Sequence, residues 1–286
     1  MSVAATQDAD GPRVCLCVDD FGLHDGINHA VFALLRLQRV QAVSVMVGGS
    51  TWEQGARTLR QYDPQQLDVG LHLDLTECPL PPMVPWTHRQ LLLRAYLRSL
   101  DAQVLRDQID AQLDAFEQAM GRAPVYVDGH QHVHQLPVIR DALLQVIAHR
   151  YPVNPPWLRS TGSPQAVAHL DLRTQYKSRI IDLLGNHALS ARAKRMGVQQ
   201  NARLLGVYDF RGDAASYRRR VQYWLSAAED GDVLMCHPGL PSHMQDAIAA
   251  ARHVEFAMLL APEFEAMLAA AQVRLLPMSR ILANPR

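Results

Sequence analysis

The 286-residue sequence lacks a charge excess of either sign. Its 28 Lys and Arg residues balance 28 Asp and Glu residues, and the basic residues are scattered along the chain. A protein that binds nucleic acid or a membrane surface usually carries a basic excess that attracts its partner over long range. The charge balance therefore argues against both classes.

Cysteine is scarce, and long apolar runs are absent. The four cysteines are too few for a disulfide scaffold and form no CxxC pair, so we interpret them as reduced, buried side chains. No apolar run approaches the ~20 residues that cross a bilayer. Residues 1–12 lack the basic start and apolar stretch of a secretory signal, and we expect a disordered tail there. These absences predict a cytoplasmic protein without a membrane span.

Three common catalytic motifs are also missing. The sequence has no GxGxxG after a strand pattern and no GxxxxGK[ST] loop, which leaves nucleotide chemistry without its usual phosphate-binding backbone. It has no GxSxG elbow either, which argues against a serine hydrolase. The function must therefore be sought in another kind of site.

Apolar, strand-like runs alternate with segments of helical periodicity along the whole chain. The strand patterns are residues 14–20, 40–47, 67–75, 125–130, 233–237 and 273–277, with a short extended piece at 157–160. This alternation predicts a parallel α/β fold, and six or seven strands at this length favour a distorted or incompletely closed (β/α) barrel. A doubly wound open sheet is the alternative. We expect a single barrel domain over residues 13–286.

The segment from residue 102 to residue 120 has the clearest helical pattern. Its apolar residues recur at steps of three or four and so share one face. Gly121 follows as the expected C-cap, and Pro124 stops any continuation. This face should pack on the core.

Polar residues stand at the ends of four separate strand patterns. Asp19 and Asp20 end the first, His72 lies near the end of the third, His130 ends the fourth, and His237 ends a late one. In a parallel barrel the carboxyl ends of all strands share one face, where active sites lie. The five side chains are therefore expected to converge on one site.

Each of these residues also has a purely structural interpretation. One aspartate of the pair could cap the following helix, and a single histidine in a strand is often a hydrogen-bonded core residue. The run from His130 to His134 could be a solvated loop. If it is extended, its histidines 130, 132 and 134 project on one face, as a cluster around a ligand would.

Aspartate and histidine together suit a divalent metal ion. Zinc, manganese and cobalt accept such ligands, and magnesium does so when water completes its shell. A catalytic site keeps a position open for water or substrate, which makes three protein ligands the natural number. We expect one divalent ion, with magnesium or zinc preferred and cobalt or manganese as alternatives.

Four motifs carry a family resemblance over roughly residues 13 to 280. The motifs VDDFG at 18–22, GLHL at 70–73, DGHQHVH at 128–134 and MCHP at 235–238 resemble the YdjC-like carbohydrate deacetylases. That family includes chitooligosaccharide deacetylases and a deacetylase of hopanoid biosynthesis. The resemblance implies a distorted (β/α) barrel related to the polysaccharide deacetylases.

The resemblance also implies roles for individual residues. Asp20, His72 and His130 match the metal ligands of the family. Asp19 matches the general base, and His237 matches the histidine that protonates the leaving amine. Arg159 matches an arginine that orients the catalytic carboxylate.

The implied function is hydrolysis of the N-acetyl group of an N-acetylated sugar, either chitooligosaccharide-like or lipid-linked. Another metal-dependent amidohydrolase, a phosphoesterase and a non-catalytic carbohydrate-binding protein are the alternatives. Two segments, 77–86 with four prolines and 172–201 with several basic residues, match no signature of substrate choice. The sequence leaves the oligomeric state open, with a homodimer as one option.

Overall fold

The computed structural model describes residues 11–164 and 172–286. The predicted disordered tail over residues 1–12 therefore lies almost entirely outside the described residues. The predicted domain from residue 13 to residue 286 stays a prediction in its boundaries.

Strands from the whole described chain join one sheet, and all their pairings are parallel. The strands are β1 (Arg13–Phe21), β2 (Ala42–Val45), β3 (Asp68–Leu73), β4 (Tyr126–Gly129), β5 (Trp157–Leu158), β6 (Leu204–Leu205), β7 (Asp232–Cys236) and β8 (Arg274–Leu275). Their long runs of buried Val, Leu and Cys are typical of strands covered on both faces.

The sheet is a curled half-barrel that stays open on one side. Its strand order is β5-β4-β3-β2-β1-β7-β6, and the short β8 pairs in addition with the start of β1. Successive strands are neighbours over most of this order, as they are in a barrel. Strands β5 and β6 end this order. The segments beside them are linked by an isolated parallel bridge between Leu158 and Gln200 and by a hydrogen bond from the Leu204 N–H to the Gly162 carbonyl oxygen. The prediction of an incompletely closed (β/α) barrel is confirmed.

Helices connect the strands. They are α1 (Asp25–Arg36), α2 (Trp52–Leu59), α3 (His88–Tyr96), α4 (Ala102–Met120), α5 (Ile139–Arg150), α6 (Leu172–Leu183), α7 (Asn186–Arg195), α8 (Ala214–Ser226), α9 (Ala249–Leu260), α10 (Pro262–Ala270) and α11 (Met278–Ala283), with a 3₁₀ segment at His130–Gln135. The sequence analysis did not identify β6, α9 or α11. Among the described residues, no helix is long and apolar enough to cross a membrane.

Helix α4 matches its predicted pattern closely. Its apolar face is buried over its whole length, and Phe116 stacks on Trp52 of α2 at 6.0 Å between ring centroids. Asp101 caps the first turn by accepting hydrogen bonds from the backbone of the next residues, and Gly121 ends the helix in a left-handed conformation with φ of 70°. The helix is thus fixed at both ends against β3 and α5.

Candidate active site

An irregularity at the end of β1 turns two adjacent carboxylates toward the same pocket. Neighbouring residues of a regular strand point to opposite faces. The register between β1 and β2 shifts between Val18 and Phe21, and Asp20 lies in the left-handed region with φ of 68°. Aspartate tolerates that region better than most residues. Asp19 and Asp20 consequently both line one cavity, although they are consecutive in the chain.

Three of the expected ligands converge at the base of this cavity. One oxygen or ring nitrogen from each of Asp20, His72 and His130 lies within 4.8 Å of the others. The Asp20 Oδ1 atom is 2.9 Å from His130 Nδ1 and 3.4 Å from His72 Nε2. The residues come from the ends of β1, β3 and β4, as the strand-end rule predicted. Their separation suits a single cation between them.

Asp128, the third residue of β4, holds the His72 ring in place. Its Oδ1 atom is 2.6 Å from His72 Nδ1, which leaves His72 Nε2 facing Asp20. A metal-binding histidine commonly has its second nitrogen fixed in this way by a carboxylate. The other Asp128 oxygen accepts from Ser44 at 2.8 Å and pairs with Arg159 at 2.6 Å. Asp128 therefore links the ligand His72 to the charges around Asp19.

Arg159 makes a two-point contact with Asp19. Its Nη1 and Nη2 atoms donate to the two Asp19 oxygens at 2.6 and 2.7 Å, and both side chains are buried. Burial alone would raise the pKa of Asp19, but the charges of Arg159 and His72 outweigh it and hold that pKa below its usual range. Asp19 is therefore ionised, and its plane is fixed by the guanidinium.

Arg252, in α9, fixes the second carboxylate. It donates to Asp20 Oδ2 at 2.7 Å and to Asp246 Oδ2 at 2.5 Å. Asp20 Oδ1 is left facing His72 and His130. Despite its burial, Asp20 has a pKa well below the usual value because of Arg252 and His130.

His237 also lies close to the Asp19 carboxylate. Its Nε2 atom is 3.9 Å from Asp19 Oδ2, and its ring packs edge-on against Phe210 at 5.0 Å between centroids. Burial lowers the pKa of His237 to about 4, although the Asp20 and Asp19 carboxylates act against that shift. The ring is therefore neutral near pH 7.

A buried carboxyl group holds the backbone of His237. Glu255 of α9 accepts from the His237 backbone N–H at 2.6 Å and from the Tyr208 hydroxyl at 2.6 Å. Burial raises the pKa of Glu255 to about 7, partly offset by these two hydrogen bonds. Helix α9 thus supports both sides of the site, through Arg252 at Asp20 and Glu255 at His237.

The electrostatic field at the three converging side chains favours a cation. Burial acts to lower the pKa of His72, yet Asp128 and Asp19 raise it to about 10. Asp20 raises the pKa of His130 in the same way. A field that favours a proton on a buried imidazole also favours a metal ion. One carboxylate and two imidazoles fit a divalent ion and leave positions for water and substrate.

The histidine run from His130 to His134 is not extended. Residues 130–135 form a 3₁₀ segment, and Gln131 and His132 have left-handed backbone conformations. The chain turns directly after Gly129, where a side chain would collide with the His134 backbone nitrogen. His134 instead donates to the Arg159 carbonyl oxygen at 2.9 Å, on the far side of the turn. The condition under which the three histidines would share one face is therefore not met.

Three residues of the site received no role from the sequence. Asp128 could have been found, because it stands at the carboxyl end of β4 like the residues that were selected. Arg252 and Glu255 carried no such signal, because their helix α9 was not recognised.

The cavity above these residues has a volume of about 490 Å³. Asp19, Asp20, His72, His130 and His237 all line it, so the five strand-end residues do share one pocket. Apolar side chains from α3, α6 and the segments after β1, β6 and β7 also line it. The pocket is large enough for a sugar unit beside the carboxylates.

Several known proteins resemble this chain. A carbohydrate deacetylase of Mus musculus is 33% identical over 143 residues, which cover 44% of this chain and 44% of that protein. A chitooligosaccharide deacetylase of Enterobacter sp. (strain 638) is 32% identical over 138 residues, covering 46% and 54%. The matches thus span about half the length of these two relatives. A chitooligosaccharide deacetylase of Yersinia pestis (strain Pestoides F) is 25% identical over 266 residues, covering 90% and 94%.

The fold and the family are both matched over nearly the whole chain. A solved structure from Enterococcus faecalis V583, of a protein proposed to cleave cellobiose phosphate, has the same fold with a TM-score of 0.70. It is 16% identical and covers 95% of this chain and 99% of its own. The sequence profile of the YdjC-like proteins matches residues 13–270. The chain therefore belongs to the YdjC-like protein family.

Proposed function

We propose that this protein is a metal-dependent hydrolase that removes the N-acetyl group of an N-acetylated sugar and releases acetate. The observation that carries the proposal is the convergence of Asp20, His72 and His130 within 4.8 Å, beside Asp19 and His237. The names of the relatives from mouse, Enterobacter and Yersinia support the reaction class. A cytoplasmic location and a homodimer stay predictions.

Asp20, His72 and His130 are the residues that would hold the ion. A bound divalent cation would supply polarisation of the acetyl carbonyl and acidification of a water molecule. Magnesium and zinc are the preferred ions for this donor set, with cobalt and manganese as alternatives. Arg252 and Asp128 keep the Asp20 and His72 donor atoms in position.

Asp19 is proposed as the base that accepts the proton of the attacking water. Arg159 holds both Asp19 oxygens, so the carboxylate plane is set before the substrate arrives. The pairing also makes Asp19 a weak base. A proton that Asp19 accepts from the water is therefore readily passed on to the next group. Arg159 acts through Asp19 and is a positioning residue.

His237 is proposed as the acid that protonates the departing sugar nitrogen. An amine leaves poorly as an anion, so cleavage of the C–N bond requires this proton. The neutral ring must first receive it, and Asp19 Oδ2 lies 3.9 Å from His237 Nε2. We propose that the proton passes from the water to Asp19 and from there to the amine by way of His237.

Acetate release from N-acetylglucosamine oligomers tests the proposal directly. The purified protein should release acetate, lose this activity with a chelator, and regain it when magnesium, zinc, cobalt or manganese is added. Chelator-resistant acetate release would refute the metal dependence. Sugar binding without acetate release would favour a binding protein, and phosphate release from a phosphate ester in its place would favour a phosphoesterase.

A further inference from the structure

Two neighbouring helices beside the pocket expose large apolar side chains to solvent. Six such residues are exposed. Three lie in helix α3 or directly after it, and three lie along helix α6. Leu97, Tyr176 and Leu183 have exposed fractions of 68%, 70% and 74%. We call the six residues the apolar rim: Leu93, Tyr96, Leu97, Tyr176, Ile180 and Leu183.

The apolar rim is continuous with the pocket. The Tyr96 hydroxyl donates to the Leu184 carbonyl oxygen at 2.7 Å, which joins α3 to the end of α6. Leu92 of α3 and Ile180 and Leu184 at α6 line the cavity itself. Apolar side chains of these two helices therefore stand both inside the pocket and on the outside of the protein, with His88 and Lys177 also at the pocket wall.

The rim residues of α6 are spaced in the sequence so that they share one side of the helix. Tyr176, Ile180 and Leu183 follow one another at steps of four and three residues, which places them on one stripe of the helix. Such a stripe is normally buried against the core, whereas here the core side of α6 is formed by Ile181. An exposed apolar stripe beside a binding pocket marks a surface that meets a partner.

The charges around the rim are basic. Helix α3 and the residues after it carry Arg89, Arg94 and Arg98 and contain no acidic residue before Asp101. Arg179 stands on α6. Among residues 11–164 and 172–286, none of these four arginines forms an ion pair with a carboxylate.

Helix α6 itself contains one acidic residue, Asp182. Its carboxylate accepts hydrogen bonds from Asn186 at 2.9 Å and Ser163 at 3.3 Å, and the side chain is half-buried. Its single negative charge is outnumbered by the four arginines. Exposed leucines flanked by arginines match the interface of an anionic bilayer, where apolar groups enter the acyl boundary and guanidinium groups contact phosphates.

We infer that the apolar rim docks the protein on an anionic phospholipid surface and presents the pocket to an N-acetylated sugar anchored there. The substrate class named here rests on the proposed function, whereas the docking does not. A second copy of the chain fits the rim less well. A two-fold dimer brings the same patch of both copies together, and the arginines would then face arginines.

The net charge of the whole chain does not reveal this basic, apolar surface. The sequence has no net charge, and this argued against a membrane-surface protein. Arg89, Arg94 and Arg98 lie on α3 or directly after it, and Arg179 lies on α6, so all four stand on the elements that carry the apolar rim. The net charge of the chain does not register such a local placement. The docking is peripheral and needs no spanning helix.

Vesicle co-sedimentation of the full-length protein tests the docking. Wild-type protein should bind vesicles of phosphatidylcholine with phosphatidylglycerol, bind those of phosphatidylcholine alone weakly, and dissociate as salt is raised. The double variant Leu97→Glu with Leu183→Glu should lose roughly tenfold or more of this binding. Val153→Glu is the matched control, because Val153 is 83% exposed and lies before β5, at the opposite end of the strands.

The outcomes separate docking from catalysis. Unchanged acetate release from soluble N-acetylglucosamine oligomers, with vesicle binding lost in the double variant, supports the inference. Vesicle binding by wild-type protein supports the docking even if no acetate is released, in which case only the proposed function fails. Absent wild-type binding, equal binding by the double variant, or a dimer in light scattering that the double variant abolishes would each overturn the docking.

Discussion

Arg159 donates its two terminal nitrogens to the two oxygens of Asp19, at 2.6 and 2.7 Å, in a setting where both side chains are buried. A buried carboxylate without a partner would be strongly destabilising. Because the guanidinium fixes the carboxylate plane, Asp19 enters any reaction in one orientation. The strongest test of the proposed chemistry is therefore made at this residue.

Asp19→Asn should abolish turnover while metal is retained. The amide keeps the shape of the side chain but cannot accept the water proton, so kcat should fall by roughly a hundredfold or more. Arg159 remains paired with Asp128, which keeps the buried guanidinium satisfied. Metal content by atomic emission and acetate release together decide the outcome, and full activity would remove Asp19 from the role of base.

His130→Ala should lose most of the bound metal. The substitution removes one of three converging donor atoms, and the two that remain do not hold a divalent ion tightly. His29→Ala is the control, because His29 lies exposed on α1, away from the pocket. Metal content that is equal in the two variants would contradict the assignment of His130.

Asp128→Asn should weaken metal binding without removing a ligand. The His72 ring would lose the carboxylate at 2.6 Å that fixes its Nδ1 atom. Loss of such a partner typically costs about 10–100-fold in metal affinity. Isothermal titration with zinc measures the change, and an affinity equal to that of the wild type would show that Asp128 is structural only.

Glu255→Gln should remove one component of the pH dependence of stability. The pKa of Glu255 is raised from 4.5 to about 7, so the folded state binds this proton more tightly than the unfolded state. The resulting stabilisation is fully present below pH 4.5 and is lost as the pH rises through 7. A shift of this size corresponds to at most about 3 to 4 kcal/mol.

The comparison for Glu255 uses urea unfolding at several pH values. Between pH 4.5 and 7, the free energy of unfolding should fall more steeply in the wild type than in Glu255→Gln. The amide can still accept from the His237 N–H and contact the Tyr208 hydroxyl, so the fold is retained. Identical slopes in the two proteins would contradict the raised pKa.

Gly121→Ala should destabilise the protein without touching the site. Gly121 ends α4 with φ of 70°, and no atom lies within 4 Å of an added Cβ. The cost is therefore conformational, about 1 kcal/mol, and should appear as a lower urea midpoint. Acetate release at room temperature should be unaffected.

Much of the site could be predicted because it obeys a rule of parallel sheets. Asp19, Asp20, His72, His130 and His237 stand at strand ends, and strand ends share one edge whatever the details of the loops. The fold class followed from the alternation of periodicities in the same way. Local patterns of this kind survive folding because they fix which face of each element is buried.

The features of the site that the sequence did not predict depend on contacts between segments that are distant in the chain. The turn at Gly129 that separates His132 and His134 depends on packing against the Arg159 segment, and a local pattern cannot show it. Arg252 and Glu255 reach the site from α9, a helix that the sequence analysis did not identify. Supporting residues are the harder part to predict, since their roles are defined by partners far away in the chain.

The two arginines that hold the consecutive aspartates come from opposite arms of the half-barrel. Arg159 directly follows the edge strand β5, and Arg252 lies in the helix after β7, while the aspartates end the inner strand β1. If either side of the half-barrel moves outward, Asp19 or Asp20 loses its arginine and becomes a buried carboxylate without that partner. Both aspartates therefore keep their arginine partners only at one curvature of the sheet. If the half-barrel flattens, acetate release should be lost at milder denaturing conditions than helix content.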